Sequence, residues 1–575
     1  MSIFSKMPVN RPGRNSFNLS HEKKMTLQMG TLTPIFVQDV VPGDYFKLRS
    51  EVFVRFLPMF APIMHRVNVY THYFFVPNRL VCADNDWQEF ITGGDTGDSN
   101  VLPPICDIYG LFTPTNLNYI PVRFHNMDID PTLMFGKSTL WDYMGLPIIS
   151  ADGEHFIYRG INVMPFLAYQ LIYNYYYRDQ NLQPEINLKY KDFPSVGGID
   201  HEKAWREVFS MRRRNWEKDY RTSALPFTQK GAPVTVPIAG DVPVEFAYPP
   251  EILPNVRPFG YMRDSNYNTG NQVTSPLPVQ LTNLGEPISQ GPVTGLTTTG
   301  NQGINNPMSY DPNGTLKVDL GDASNITIND LRTAFQLQRW MERNARAGSR
   351  YIEQILSHFG IKVPDFRLQM PEYLGGGRNP VRISEVLQTS EGTGSSAQGT
   401  MAGHGISASS VHGFKRKFNE HGYVIGIMSV LPRTSYQQFV PKHFMRNSRF
   451  DYFWPTLAHL GEQEVKNKEV YYDPHDINDQ GKADGTFGYQ SRYCEYRYSE
   501  STIHGDFQTV LLDFWHMGRK FNSPQNLNSQ FITADPTNRV FAVDGTDPLL
   551  CQVYHDFKAV RPMPRFANPG YVDHF

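Results

Sequence analysis

A chain of 575 residues, 40% apolar and 19% charged, has enough apolar surface to bury a sizeable core, which excludes disorder throughout. Lys and Arg (54) nearly balance Asp and Glu (56), a formal net charge of −2, so any nucleic-acid contact must come from local patches. No run approaches the ~20 apolar residues of a membrane helix. No signal-peptide pattern follows Met1, and Cys82, Cys106, Cys494 and Cys551 form no CxxC pair. Reduced thiols in a protein assembled in cytosol are therefore expected, not a zinc cage or a disulfide framework.

Residues 1–24 are polar and locally basic, with Lys6, Arg11, Arg14, Lys23 and Lys24 against the single acid Glu22. Pro8, Pro12 and Gly13 predict an extended arm without a core of its own, either a solvated terminus or an arm for nucleic acid. From Leu27 to Leu80 the texture is β. Tyr45 to Phe56 alternates in part, Val67 to Val76 is rich in β-branched and aromatic residues, and Pro42-Gly43-Asp44 and Pro58 to Pro62 punctuate them. Three strands without a helical pattern between them predict antiparallel pairing.

A short helix is expected over Asp84 to Ile91 and a second over Met164 to Arg178, with Pro165 tolerated in its first turn. Within 201–221, Arg212, Arg213 and Arg214 stand near Trp216 and Tyr220. That pairing suits stacking on bases with phosphate contacts, and equally a helix snorkelling over a subunit interface. Residues 262–325 are dominated by Asn, Thr, Gly, Pro, Ser and Gln, as a linker or a projecting loop would be. Asn329 is the expected N-cap of a helix from Leu331 to about Ser357, with Leu331, Phe335, Leu337, Trp340 and Met341 as its apolar side. Gly348 weakens that helix, and Gly360 suits a C-cap. Residues 371–413 read as another Gly/Ser-rich loop, and strand texture returns at Tyr423 to Leu431 and at Phe507 to Trp515. Strands far apart in sequence, joined by large loops, suit a jelly roll.

Catalytic chemistry is not legible. His404, His412 and His421 lack HExxH or a carboxylate at ligand spacing, so a loop filling an interface is favoured over a metal site. Gly375-Gly376-Gly377-Arg378 is followed by no Lys-Ser/Thr, Gly-x-Ser-x-Gly is absent, and no carboxylate pair stands out.

Several long segments carry a resemblance. They are Val41-Pro42-Gly43-Asp44 with Pro62 to Val69; Asp219-Tyr220-Arg221-Thr222-Ser223-Ala224-Leu225-Pro226; Asp330 to Ser349 around Gln338-Arg339-Trp340-Met341-Glu342-Arg343; Gln369 to Gly377; Glu420 to Gly426; and His459 to Val465. In this order, across nearly the whole chain, they resemble the major capsid proteins of gokushovirus-type microviruses, small icosahedral single-stranded-DNA bacteriophages. The resemblance implies a mainly β fold: an eight-stranded antiparallel jelly roll of the viral capsid type, one discontinuous domain over 25–575 behind the 1–24 arm. It implies a homo-oligomer of sixty copies in a T=1 shell around a circular single-stranded DNA genome, with 262–325 forming a protrusion at each threefold axis. The implied partners are the packaged DNA, a small basic DNA-binding virion protein, a pilot protein, a scaffolding protein during assembly and a host-cell surface receptor. No enzyme activity, cofactor, metal or membrane insertion is implied, and the setting is the virion, assembled in the bacterial cytoplasm.

Lys6, Arg11, Arg14, Lys23 and Lys24, and then Arg212, Arg213 and Arg214, are the expected DNA contacts, and Tyr267, Asn268, Asn271 and Tyr310 the expected protrusion or receptor contacts. Two rival classes differ in what they should carry. A carbohydrate-binding or hydrolytic jelly roll should have a carboxylate pair or a secretion signal, and a monomeric nucleic-acid binder a far more basic balance.

Overall fold

The structure, a computed structural model, describes residues 13–82, 86–94, 99–110, 120–124, 131–149, 156–194, 199–232, 242–243, 317–318, 328–347, 356–358, 369–387, 401–408, 412–475 and 480–566. The chain divides into one compact unit of residues 1–230 and 343–575 and a second of residues 231–342.

Two antiparallel sheets form the centre of the first unit. The larger has seven strands: β1 (Asn15–Asn18), β2 (His21–Leu27), β4 (Tyr45–Phe56), β12 (Arg382–Leu387), β13 (Met401–Ala408), β14 (His412–Lys417) and β18 (Leu549–Arg561). β18 pairs with β1 and β2 on one side and with β4 on the other, and β4 in turn pairs with β13 and β14. The smaller sheet runs β11 (Glu372–Pro380), β5 (Val67–Pro77), β15 (Gly422–Pro432), β3 (Thr33–Val40).

The two sheets read differently along their strands. In β4 every second residue is buried from Phe46 to Phe56, the alternation of a strand with one wet face. In β15 every residue but Tyr423 is buried, as in a strand covered on both faces. Phe36, Phe46, Leu48, Val54, Val424, Met428 and Phe557 fill the space between the sheets. Phe557 meets Phe46 and Phe36 edge-on, at 4.9 and 5.2 Å between ring centres.

The other face of the smaller sheet is covered by the long connection between β5 and β11. That connection holds α1 (Asp86–Thr92), α2 (Thr132–Phe135), α3 (Leu140–Tyr143), α4 (Met164–Ile172), α5 (Ile199–Phe209) and a small sheet of β6 (Ile105–Tyr109), β7 (Ile120–Arg123) and β8 (Ile157–Asn162). Phe135, Trp141, Phe166, Leu167 and Phe209 pack with Phe74, Val76, Ile425 and Ile427 of the sheet. The Tyr169 hydroxyl donates to Leu32 O (2.8 Å) and that of Tyr176 to Pro371 O (2.7 Å), tying the cover to the strands. A third cluster, around Val465, Val470, Phe487 and Phe531, supports the hairpin β16 (Glu462–Lys466) and β17 (Thr486–Ser491).

The second unit contains the two-residue pair β9 (Val242–Pro243) and β10 (Lys317–Val318) and the start of α6 (Ile328–Ala347). Asn329 lies inside α6 and is not its N-cap; of the expected apolar side, Leu331, Phe335, Leu337 and Trp340 are exposed and Met341 is half-buried. Gly348, Gly360 and nearly all of 262–325 fall outside the described residues.

Four further expectations change. The arm lacks independence from Asn15 onward: β1 and β2 are rungs of the larger sheet, because β18 offers them a full backbone ladder and Leu27 is buried. The predicted loop 371–413 carries β11, β12, β13 and the start of β14. Its glycines serve close backbone approach: a Cβ at Gly376, Gly403 or Gly413 would overlap the carbonyl oxygen of Thr71, Ala61 or Leu48 respectively. Phe507 to Trp515 is no strand but two 3₁₀ turns, Gly505–Gln508 and Asp513–Trp515. Side chains hold its carbonyls, His516 at Phe507 O (2.8 Å) and Arg539 at Asp513 O (2.8 Å). Finally, the helix from Met164 opens into a π turn at Tyr173–Tyr177.

Gly413→Ala is expected to cost about 1–3 kcal/mol, since the clash is with backbone of β4 that has nowhere to retreat. Chemical denaturation of the variant measures it. His555 supplies a pH test. It is fully buried between Ser50 Oγ (2.7 Å) and Ile35 O (3.1 Å). Burial, and after it the neighbouring His21 and Lys23, push its pKa down to about 4 against the hydrogen bond to Ile35. The unfolded chain takes up this proton near pH 6.5 and the folded chain only near 4. Its contribution to stability is therefore complete above pH 6.5 and declines as pH falls toward 4. Denaturation midpoints at pH 7, 5.5 and 4.5 should fall in that order, less steeply for His555→Gln.

Candidate nucleic-acid interface

Among the described residues, the larger sheet has one face without a covering layer. Because successive side chains of a strand point to opposite faces, register decides what stands there. Lys47 of β4 lies directly opposite Lys558 of β18 and Lys415 of β14. One step along, Tyr45 lies opposite Val560 and Lys417; on the other side, Arg49 lies opposite Asp556 and Gly413. Lys415, Lys417, Lys558, Arg49 and Arg55 are exposed and Lys47 is half-buried. With Lys24 of β2, these cations outnumber Glu22, Glu51 and Asp556 on the same strands. Tyr45, Phe53 and Tyr554 stand exposed among them.

Like charges directly opposite on neighbouring strands destabilise a sheet. A row of three lysines across β14, β4 and β18 therefore carries a standing repulsion that a polyanion laid across it would relieve. Aromatic rings between the cations add flat apolar surfaces on which bases can stack.

The sequence-predicted residues separate sharply. Arg14 is exposed beside Gly43. Lys24 is exposed, with Glu22 at 3.8 Å. Lys23, its neighbour, points to the other face, where its ammonium donates to Pro34 O (3.1 Å) and Tyr143 O (2.5 Å) and burial lowers its pKa to about 8. Its charge is committed inside the fold. Arg212 donates to Gln170 Oε1 (2.8 Å) and pairs with Glu207 (2.7 Å); Arg213 pairs with Asp535 (2.7 Å). Arg214 lies 3.9 Å over the Tyr70 ring and donates to Ser429 Oγ (3.1 Å). All three follow α5: Arg212 ties it to α4, Arg213 reaches the loop at Asp535, and Arg214 reaches β5 and β15, so the basic cluster resolves into contacts within the chain, neither a helix face nor an open stacking platform. Lys6, Arg11, Tyr267, Asn268, Asn271 and Tyr310 lie outside the described residues.

Arg221, in one of the long segments quoted above, also acts internally. It is sandwiched between the Tyr436 and Phe439 rings at 4.2 and 4.3 Å and donates to Glu469 O (2.7 Å) and Glu500 (2.8 Å). The three histidines weighed for metal binding have separate partners: His404 meets Ser384 Oγ (2.9 Å), His412 meets Asn379 (2.9 Å), and His421 packs on Trp87. No group of metal-binding side chains occurs among the described residues, and none of their helices is long and apolar enough to cross a membrane. Lys47, Lys415 and Lys558 escaped sequence reasoning because they lie far apart in the chain and only register joins them.

Residues 5–571 match the family described as Capsid protein (F protein). The chain is 35% identical to the VP1 capsid protein of Chlamydia phage 1, covering 99% of this chain and 97% of that protein. It is 34% identical to VP1 of Bdellovibrio phage phiMH2K (100% and 98% covered) and 28% identical to VP1 of Spiroplasma virus 4 (99% and 97%). The chain therefore belongs to the F-protein family of phage capsid proteins, as the major capsid protein of a microvirus-like phage. It is a structural protein, not an enzyme, and family membership implies assembly into a multi-copy shell.

Proposed function

We propose that sixty copies of this chain close into a T=1 icosahedral shell whose inner surface is the free face of the larger sheet, laid against a circular single-stranded DNA genome. The row Lys558-Lys47-Lys415 carries this reading, since its repulsion has no counter-charge within the row. Contact is through phosphates and stacking and is indifferent to sequence.

The barrel is read as an eight-stranded jelly roll. Its support is the strand order: β2, β18, β4 and the β13/β14 pair in one sheet, and β3, β15, β5 and β11 in the other, with the chain crossing between sheets from β2 to β3, β3 to β4 and β4 to β5. The helical cover over the smaller sheet then faces away from the genome. Residues 262–325 are read as the outward protrusion that meets the host cell, on their polar composition and their place in the family resemblance.

Negative-stain microscopy of the purified full chain, joined to binding of a single-stranded oligonucleotide, tests the containment reading. Closed shells of uniform small size are expected. Changing Lys47, Lys415 and Lys558 together to Glu should weaken binding and flatten its salt dependence by about 0.7 in log–log slope per lost phosphate contact. Arg214→Ala should leave affinity unchanged. Unaltered affinity and salt slope in the triple variant would remove the sheet face from the genome contact. Deleting residues 262–325 should leave shells forming and reduce adsorption to host cells; loss of assembly instead would make that segment a clamp between subunits.

A further inference from the structure

The segment after β15 exposes an aromatic surface that the DNA reading does not use. Phe444, Phe450, Tyr452, Phe453, Trp454 and Tyr496 are all about half exposed or more, Phe444 reaching 73%. Isolated exposed apolar residues are ordinary, but a cluster of large rings marks a surface that a partner covers. Aromatic side chains together with arginine form the usual core of such interfaces.

The cluster is held rigid. Asp451 accepts from the backbone N–H of Asn447 (3.0 Å) and Ser448 (2.7 Å), closing the 3₁₀ turn Arg449–Asp451. Trp454 Nε1 donates to Arg449 O (2.8 Å), and the Tyr493 hydroxyl to Tyr452 O (3.1 Å). Phe453 stands edge-on to Tyr493 at 5.1 Å, and the Arg446 guanidinium lies 4.2 Å over Tyr496. A fixed, preformed surface loses little entropy when covered. At its rim stands Arg449, exposed, resting on the Phe450 ring, with no ion pair among the described residues.

A second exposed feature is likewise apolar and carries the opposite charge at its base. Between the turns Gly505–Gln508 and Asp513–Trp515, Val510 and Leu511 project with 79% and 70% of their surface in solvent. This knob is also braced, through Thr509 Oγ1, which donates to Asp506 O (2.8 Å) and accepts from Leu511 N–H (3.3 Å). At its base Asp506 is exposed and has no ion pair among the described residues. Within one copy both features are open to solvent.

We propose that the Val510–Leu511 knob of one copy packs on the aromatic surface of a second copy, with Asp506 facing Arg449 across the contact. The occupant is a second copy because the family builds shells from repeated chains, and because apolar surface meets apolar surface while an unpaired acid meets an unpaired cation. Knob and aromatic surface are different parts of one chain, so the contact is head-to-tail and propagates around a ring until symmetry closes it. The inference rests on membership of the capsid family and is independent of where the genome lies.

The test uses the full chain with Arg449→Glu, Asp506→Arg and the double exchange, each checked for an unchanged thermal melt. Light scattering against concentration reads assembly. Each single reversal should raise the concentration needed for assembly about tenfold, equivalent to ~1.4 kcal/mol, and the double exchange should restore most of it. Singles that assemble like the unmodified chain, or a double exchange that restores nothing, would overturn the pairing. Cysteine crosslinking gives a second readout that does not require complete shells. In a Cys494→Ser background, a mixture of Phe453→Cys and Leu511→Cys chains should yield a covalent dimer that neither forms alone. Absence of that dimer counts against the contact. Failure of the unmodified chain to form closed shells, with the dimer present, would count instead against the T=1 reading.

Discussion

The four-stranded sheet has apolar side chains on both faces, and each face demands its own cover. Tyr73 and Phe75 of β5 point into the core shared with the larger sheet, whereas Phe74 and Val76 point into the helical layer. The larger sheet satisfies the first face. The insertion between β5 and β11 satisfies the second, fastened through tyrosine hydroxyls and the Arg214 guanidinium. Long insertions are tolerated thermodynamically because loop closure costs little more as loops lengthen. Here the insertion is also needed, since without it a full sheet face of aromatic and aliphatic residues would lie in water.

That division of labour leaves the larger sheet with a free outer face, and polarity follows. A strand with one wet face tolerates charge at every second position, so β4, β14 and β18 hold lysines and arginines without disturbing the core. The same alternation makes Lys23 and Lys24 opposites: one is absorbed by backbone carbonyls, the other stays in solvent. A net charge near zero thus conceals a cationic surface, offset by acids paired or solvated elsewhere in the chain.

Much of the framework was legible in the sequence, and the misses have physical causes. The strands at 45–56, 67–76 and 423–431 announce themselves through alternation or unbroken β-branched and aromatic runs. The strands of 371–413 did not, because glycine usually signals a turn. In β11, β13 and β14 it is selected where a neighbouring carbonyl leaves no room for a Cβ. The run at 507–515 has strand-like composition, yet side chains take up two of its carbonyls, and Val510 and Leu511 point outward. Arg212, Arg213 and Arg214 read as a basic patch only while their partners Glu207, Asp535 and Tyr70 are invisible. The cationic row was illegible for the converse reason: its members are drawn from β4, β14 and β18, and no local window contains two of them.

The position of β18 bears on when the molecule can exist at all. This strand, residues 549–561, lies inside the larger sheet and completes the ladders of β1, β2 and β4, which precede it by roughly five hundred residues. At ~5–20 residues per second of synthesis, β4 waits on the order of half a minute or more for its central neighbour. Until then its apolar side and its unpaired edge are a hazard in a crowded cell. Emergence of one strand thus closes the sheet: a chain cut short before it lacks the neighbour that β1, β2 and β4 all pair with, and so cannot complete the larger sheet.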